Sequence, residues 1–136
     1  MSDLIDLLIR EHLEIKKALA TVRALGIDTA EARKKLLEVE QVFINHLQIE
    51  EENIHKVLMK AGQNDLEVKG IIDSTRSEST ELSIEMIEFF HHLELGKPGL
   101  NEEFTRMENL LNIRMQQEEE ILFSTYKMVC IKNTNS

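Results

Sequence analysis

The sequence predicts an all-α protein, an up-down-up-down antiparallel four-helix bundle. Four segments repeat apolar residues at helical spacing, and each is long enough for an extended helix. Short breaks separate them, so successive helices must pack antiparallel to one another. The composition agrees, with one Pro and no Trp among 136 residues. This length suits one domain, which we assign to residues 1–130, followed by a short polar tail at residues 131–136.

The first two predicted helices cover residues 3–24 and about 30–61. Gly26 ends the first helix. Asp28 and Glu31 have capping-box spacing at the start of the second. The stripes expected to face the core are Leu4, Leu8, His12, Ile15, Leu19 and Val22 in the first helix, and Val39, Val42, Phe43, His46, Glu50, Ile54 and Val57 in the second.

The third and fourth predicted helices cover residues 65–95 and about 101–129. A turn at residues 96–99 separates them, and Asn101 is expected to cap the fourth helix. The expected core stripes are Ile72, Thr75, Ser79, Leu82, Met86, Phe89 and Leu93 in the third helix, and Phe104, Met107, Leu111, Arg114, Glu118, Ile121 and Thr125 in the fourth.

The charge balance and the cysteine count narrow the class of protein. Acidic residues outnumber basic ones 25 to 16, and a net charge of -9 repels nucleic acid and anionic membranes, so neither is expected as a partner. Cys130 is the only cysteine, so no intrachain disulfide can form. We expect no signal peptide, and no apolar run approaches the roughly 20 residues that span a bilayer. These features indicate a cytoplasmic protein.

Polar side chains interrupt the core stripe near the middle of each helix. They are His12, His46, Glu50, Ser79, Arg114 and Glu118. Burying an unpaired charge costs several kcal/mol, so these charges need partners. Glu50 follows His46 by four residues, which places both on one helix face within reach of one ion. Imidazole and carboxylate together suit iron, manganese or zinc better than calcium or magnesium, so the pattern predicts a metal site.

Three short motifs resemble the hemerythrin family, whose domain is also called the HHE cation-binding domain. They are Glu11-His12, "HLQIEE" at residues 46–51 and "EEEILF" at residues 118–123. The similarity covers nearly the whole chain, in order and in helix spacing. The resemblance implies a non-haem di-iron site with two bridging carboxylates, used to bind oxygen or to sense oxygen, nitric oxide, redox state or iron.

The resemblance fits one half of the di-iron site. The positions that it assigns to the first iron are His12, His46, Glu50 and Glu118. The second iron takes imidazoles from the third helix and from the fourth, one turn before the bridging carboxylate. At those places this sequence has Thr75, Ser79 and Arg114, none of which is a good ligand for divalent iron.

We therefore predict a half-site, with mononuclear iron favoured over di-iron and Arg114 in place of the second cation. Glu78, beside Ser79, could instead turn inward and supply an oxygen ligand. A di-iron centre binds oxygen reversibly with one electron from each iron. A single metal therefore argues against an oxygen carrier and favours a sensor or binder of a small ligand such as oxygen or nitric oxide.

Other interpretations of the same residues stay open. Arg114 and Glu118, spaced i and i+4, could form a buried ion pair in a metal-free signalling or docking module, whose protein partner the sequence does not identify. An oxidising di-iron enzyme predicts paired ExxH motifs on the core-facing lines of two helices. The string from Glu52 to His55 lies off the expected core line, which argues against an enzyme. We expect His55 to form a solvated pair with Glu51, and the acidic residues next to Glu50 and Glu118 to face solvent.

Overall fold

The computed structural model describes residues 3–135 and confirms the all-α bundle of four long helices. The helix α1 is Asp3–Leu25 and α3 is Leu66–Leu95. The helix α2 joins the α-helical segment Ala30–Ile49, the π-helical segment Glu50–His55 and the α-helical segment Lys56–Gly62. The helix α4 likewise joins Leu100–Gln117, the π-helical Glu118–Leu122 and Phe123–Asn135. Within residues 3–135 there is no strand, and none of the helices is both long and apolar enough to cross a membrane.

The helix ends differ in detail from the sequence-based expectation. Thr29, rather than Asp28, caps α2, because its hydroxyl accepts a backbone N–H of the first turn at 3.1 Å. The helix α4 begins before Asn101 and follows Gly99, whose φ of 81° lies in the left-handed region that favours glycine. The same helix continues past Val129 to Asn135. Residues 131–135 of the expected tail are therefore helical, and residue 136 lies outside the part of the chain that the structure describes.

Two apolar clusters fill the interior, one toward each end of the bundle. The first cluster includes Leu19, Leu36, Phe89 and Leu111. The second cluster includes Leu8, Leu58, Ile72 and Leu122. Along every helix the mid-bundle polar residues fall between the two clusters, so they form a layer that apolar side chains close off from water on both sides. We call this the polar layer, and its buried members are His12, His46, Glu50, Thr75, Arg114 and Glu118.

The π-helical turns shift the core stripe of α2 and of α4 by one residue. In α2 the fully buried residue is Leu58, whereas the expected Val57 is only partly buried. In α4 Leu122 is 1% exposed, whereas the expected Ile121 is 49% exposed. A π-helix bonds i to i+5, so each such turn holds more residues than the 3.6 of an α-helix. The expectations for Val57 and Ile121 were wrong because they assumed uninterrupted α-helical periodicity.

Substituting neighbouring residues of α4 tests this shift in register. We expect Leu122→Ala to lower the free energy of unfolding by about 2–5 kcal/mol, because it leaves a cavity in the second cluster. Ile121→Ala removes a half-exposed side chain and should cost less than about 1 kcal/mol. Urea denaturation followed by circular dichroism measures both changes. A larger loss for Ile121→Ala would mean that α4 keeps α-helical periodicity through this segment.

Candidate metal centre

Four potential metal ligands converge in the polar layer. His12 comes from α1, His46 and Glu50 from α2 and Glu118 from α4, and one ligand atom of each lies within 4.8 Å of the others. The Glu118 Oε1 atom lies 2.7 Å from His12 Nε2 and 3.0 Å from His46 Nε2. The two Nε2 atoms are 3.2 Å apart. Each of the four side chains is at most 2% exposed, so the ligand atoms converge away from the protein surface.

The local helix geometry brings these groups together. An α-helical turn places Glu50 beside His46, with Glu50 Oε2 at 3.0 Å from His46 Nε2. A π-helical turn begins at Glu50 and another at Glu118, and such turns occur frequently at functional sites. The second of these turns also carries the register shift that buries Phe123. Phe123 stacks on the His12 imidazole at a centroid distance of 5.6 Å, which holds the ring in place.

Two further carboxylates orient the imidazole rings from outside. Glu119 Oε2 lies 2.8 Å from His12 Nδ1, and Glu11 Oε1 lies 2.8 Å from His46 Nδ1. An Nδ1–H that donates to a carboxylate leaves the Nε2 lone pair free for a metal. Both imidazoles are therefore held with Nε2 pointing into the shared space.

Sequence reasoning missed this role. It expected the acidic residues next to Glu50 and Glu118, which include Glu119, to face solvent, and it assigned Glu11 no contact with an imidazole. Glu119 instead bonds His12, and Glu11 is mostly buried. Each of these carboxylates follows or precedes a ligand on its own helix and supports an imidazole on another helix. An acidic residue adjacent to an inward ligand is the sequence signal that could have indicated them.

The two inner carboxylates have opposite electrostatic environments. Burial raises the pKa of Glu50 to about 8, and the nearby charge of Glu118 adds to the rise. Burial acts on Glu118 as well, but hydrogen bonds from His12 and His46 outweigh it and hold the pKa of Glu118 well below its usual range. Burial alone would lower the pKa of His46, yet its contacts with Glu118 and Glu50 raise it to about 10. The layer therefore favours positive charge at the place where the imidazoles and carboxylates meet.

Arg114 lies beside the outer oxygen of Glu118. Its Nε atom is 3.3 Å from Glu118 Oε2, an ion pair whose direction does not suit a hydrogen bond. Its Nη2 donates to Ser79 Oγ at 3.0 Å, and its Nη1 donates to Glu78 Oε2 at 3.3 Å. Glu118 thus faces two imidazoles through one oxygen and a guanidinium through the other.

Comparison with known protein families identifies the family of this chain. A family model described as the hemerythrin HHE cation binding domain matches residues 3–126. The chain belongs to this family. The match extends from α1 into the last segment of α4 and so includes all four converging residues. Comparison with curated proteins and with solved structures gave no match.

In this hemerythrin-family chain the inner four residues fit one metal ion. Two imidazole nitrogens and two carboxylates form a donor set that suits iron, manganese or zinc. Within the described part of the chain, both oxygens of Glu50 are buried and neither accepts a hydrogen bond. His46 Nε2 lies 3.0 Å from Oε2, but its direction does not suit a hydrogen bond. Burial disfavours the charged form of Glu50, and a cation held by these four residues would stabilise that form.

The other candidate ligands do not join this group. Glu78 was expected to turn inward as an alternative ligand, but it is 46% exposed and pairs with Arg114 instead. Ser79 accepts a hydrogen bond from the same guanidinium. Thr75 is buried in the polar layer, but a hydroxyl is a poor ligand for divalent iron. These three positions and Arg114 therefore do not fit a second metal ion.

His55 corrects another expectation. The sequence pattern suggested a solvated pair with Glu51, but His55 is 3% exposed and its Nδ1 lies 3.9 Å from Glu51 Oε1, too far for a hydrogen bond. It is the last residue of the π-helical turn in α2, and the shift in register turns it inward. His55 does not belong to the group of four converging ligands.

Removing the outer carboxylates tests their role in this hemerythrin-family site. We expect Glu11→Gln and Glu119→Gln each to weaken the binding of a divalent metal by about 10–100-fold, because the imidazoles lose the carboxylates that orient them. Glu120→Gln, at an exposed neighbouring position, is the matched control. Competition with a chelating dye, with Zn²⁺ as the probe, measures the affinities. Wild-type affinity in both variants would show that the outer carboxylates do not support the site.

Proposed function

We propose that this chain binds a single iron ion through His12, His46, Glu50 and Glu118, and that it acts as a sensor or binder rather than as a catalyst. The observation that supports the proposal is the convergence of four buried ligand atoms within 4.8 Å. The donor set is compatible with iron, manganese and zinc, and the family resemblance favours iron. We also propose a cytoplasmic location, since the single cysteine requires no oxidising compartment.

The position of Arg114 supports one metal rather than two. The guanidinium is permanently charged, and it lies 3.3 Å from the oxygen of Glu118 that faces away from the imidazoles. A second cation on that oxygen would have to displace the guanidinium or repel it at short distance. The hydroxyls of Ser79 and Thr75 offer no imidazole with which to hold such an ion.

A sensing role agrees with the contacts around the four ligands. Iron sites of mixed histidine and carboxylate ligation can keep positions open, where a small ligand such as oxygen or nitric oxide would bind. Glu118 also contacts Arg114, which reaches Ser79 and the half-exposed Glu78 on α3. A change at the metal centre therefore has a short chain of polar contacts to the protein surface.

A metal-free docking module is the second candidate function. It is favoured by the fact that Glu118 already has hydrogen-bond partners in His12 and His46 and an ion pair with Arg114. Under this alternative the polar layer would serve only to define the packing of the bundle. Glu50 argues against it, because burial disfavours its charged form and neither of its oxygens has a hydrogen bond among the described residues, so a metal-free layer leaves this carboxyl group poorly satisfied.

The metal content of protein purified without chelators separates these candidates. We expect one equivalent of iron per chain by elemental analysis. Combining Arg114→His with Ser79→His removes the competing charge and adds imidazoles, so its capacity should rise toward two equivalents. Arg106→His, at an exposed position of α4, is the control and should keep one equivalent. Two equivalents in the wild type would contradict the role of Arg114, and none would favour the docking module.

A further inference from the structure

A groove of about 710 Å³ lies between α2 and α3, and none of the four metal ligands lines it. The two helices are antiparallel neighbours, so residue numbers rise along one wall of the groove and fall along the other. Ile44 and Ile84 line one end, whereas His55 and Arg76 line the other. From Ile44 to His55 the wall extends about 16 Å, at 1.5 Å per residue. The large apolar side chains are therefore grouped toward one end, next to Ser83, and an imidazole and a guanidinium line the other end.

The polar end contains a buried donor and a free cation. Among the residues that the structure describes, neither ring nitrogen of His55 has a hydrogen-bond partner. Burial lowers the pKa of His55, so the neutral ring offers one N–H near pH 7. Arg76 is exposed and makes no ion pair with the residues that the structure describes. Its acidic neighbour Asp73 is instead bound by Lys69 at 2.7 Å. A guanidinium without an ion pair, in the same groove as a buried N–H without an acceptor, favours a carboxylate ligand.

The opposite end presents apolar side chains to the same groove. Ile44 and Ile84 are 50% and 53% exposed, and the partly buried Leu47 lies on the α2 wall between Ile44 and His55. Covering such surface gains roughly 25 cal/mol per Å² of apolar area removed from water. An alkyl chain lying along the groove would cover these residues together. Glu51, the one acidic residue on the wall, is 64% exposed and can keep its carboxylate in solvent.

We propose that the α2–α3 groove binds an amphiphilic monocarboxylate of medium chain length, with its carboxylate at Arg76 and His55 and its alkyl chain along Leu47, Ile44 and Ile84. The carboxylate of such a ligand is opposite in charge to Arg76. Its alkyl chain would cover the apolar side chains at the other end. The proposal does not depend on the metal function, although Ser79 lines the groove and also binds Arg114.

Calorimetric titration of the purified protein with straight-chain carboxylates tests the alkyl contacts. From butanoate to decanoate, below micellar concentrations, affinity should rise about two- to fourfold per methylene, as expected for burial in a partly open groove. Ile84→Ser should flatten this dependence, whereas Leu13→Ser, at an exposed position of α1, should not. Affinity independent of chain length, or no binding of decanoate, would overturn the proposal.

The carboxylate contact is tested by removing the cation. Arg76→Gln should weaken decanoate binding at least tenfold and leave the affinity for decanol unchanged. Arg10, on α1, is exposed like Arg76. Arg10→Gln is therefore the matched control and should bind decanoate like the wild type. Equal losses in the two variants would show a general charge effect and refute the site. Metal content, measured on the same samples, should stay at the wild-type value in both variants, so failure here is distinct from failure of the iron proposal.

Discussion

Two buried carboxylates in the middle of this bundle need positively charged groups around them. Glu50 and Glu118 lie in a layer closed on both sides by apolar clusters, where an unpaired charge is costly. Glu118 meets two imidazoles and a guanidinium, whereas both oxygens of Glu50 lack a hydrogen bond. A single metal ion held by both carboxylates and both imidazoles would satisfy Glu50, and Arg114 already serves the outer side of Glu118. The charge requirement thus links the buried position of these residues to their proposed function.

Local irregularities of the helices position the residues of the polar layer. The π-helical turns begin at the two inner carboxylates, and each moves the following apolar residues by one position. The same shift brings Phe123 onto the His12 ring and turns His55 inward. Glu11 and Glu119 then support each imidazole from a different helix. The site is therefore held by contacts between helices, so changes at the centre can reach the packing of the bundle.

Helical periodicity and the breaks between segments were enough to predict the four helices, since both are local properties of the sequence. They were also enough to place His12, His46, Glu50 and Glu118 on inward faces. The π-helical turns could not be predicted, because the extra residue has no compositional mark, and this is why the expectations for Val57, Ile121 and His55 were wrong. Glu11 and Glu119 resemble ordinary surface acids, and only the packing of separate helices reveals their contacts with His46 and His12.

Anomalous diffraction at the iron edge, from crystals of the iron-loaded protein, tests most directly whether the polar layer holds one metal. The half-site predicts one peak per chain, within bonding distance of His12, His46, Glu50 and Glu118, with Arg114 still paired to Glu118. A second peak on the Arg114 side of Glu118, with the guanidinium displaced, would contradict a single-metal site. A peak elsewhere, with these four residues bonded only to one another, would contradict the metal centre itself.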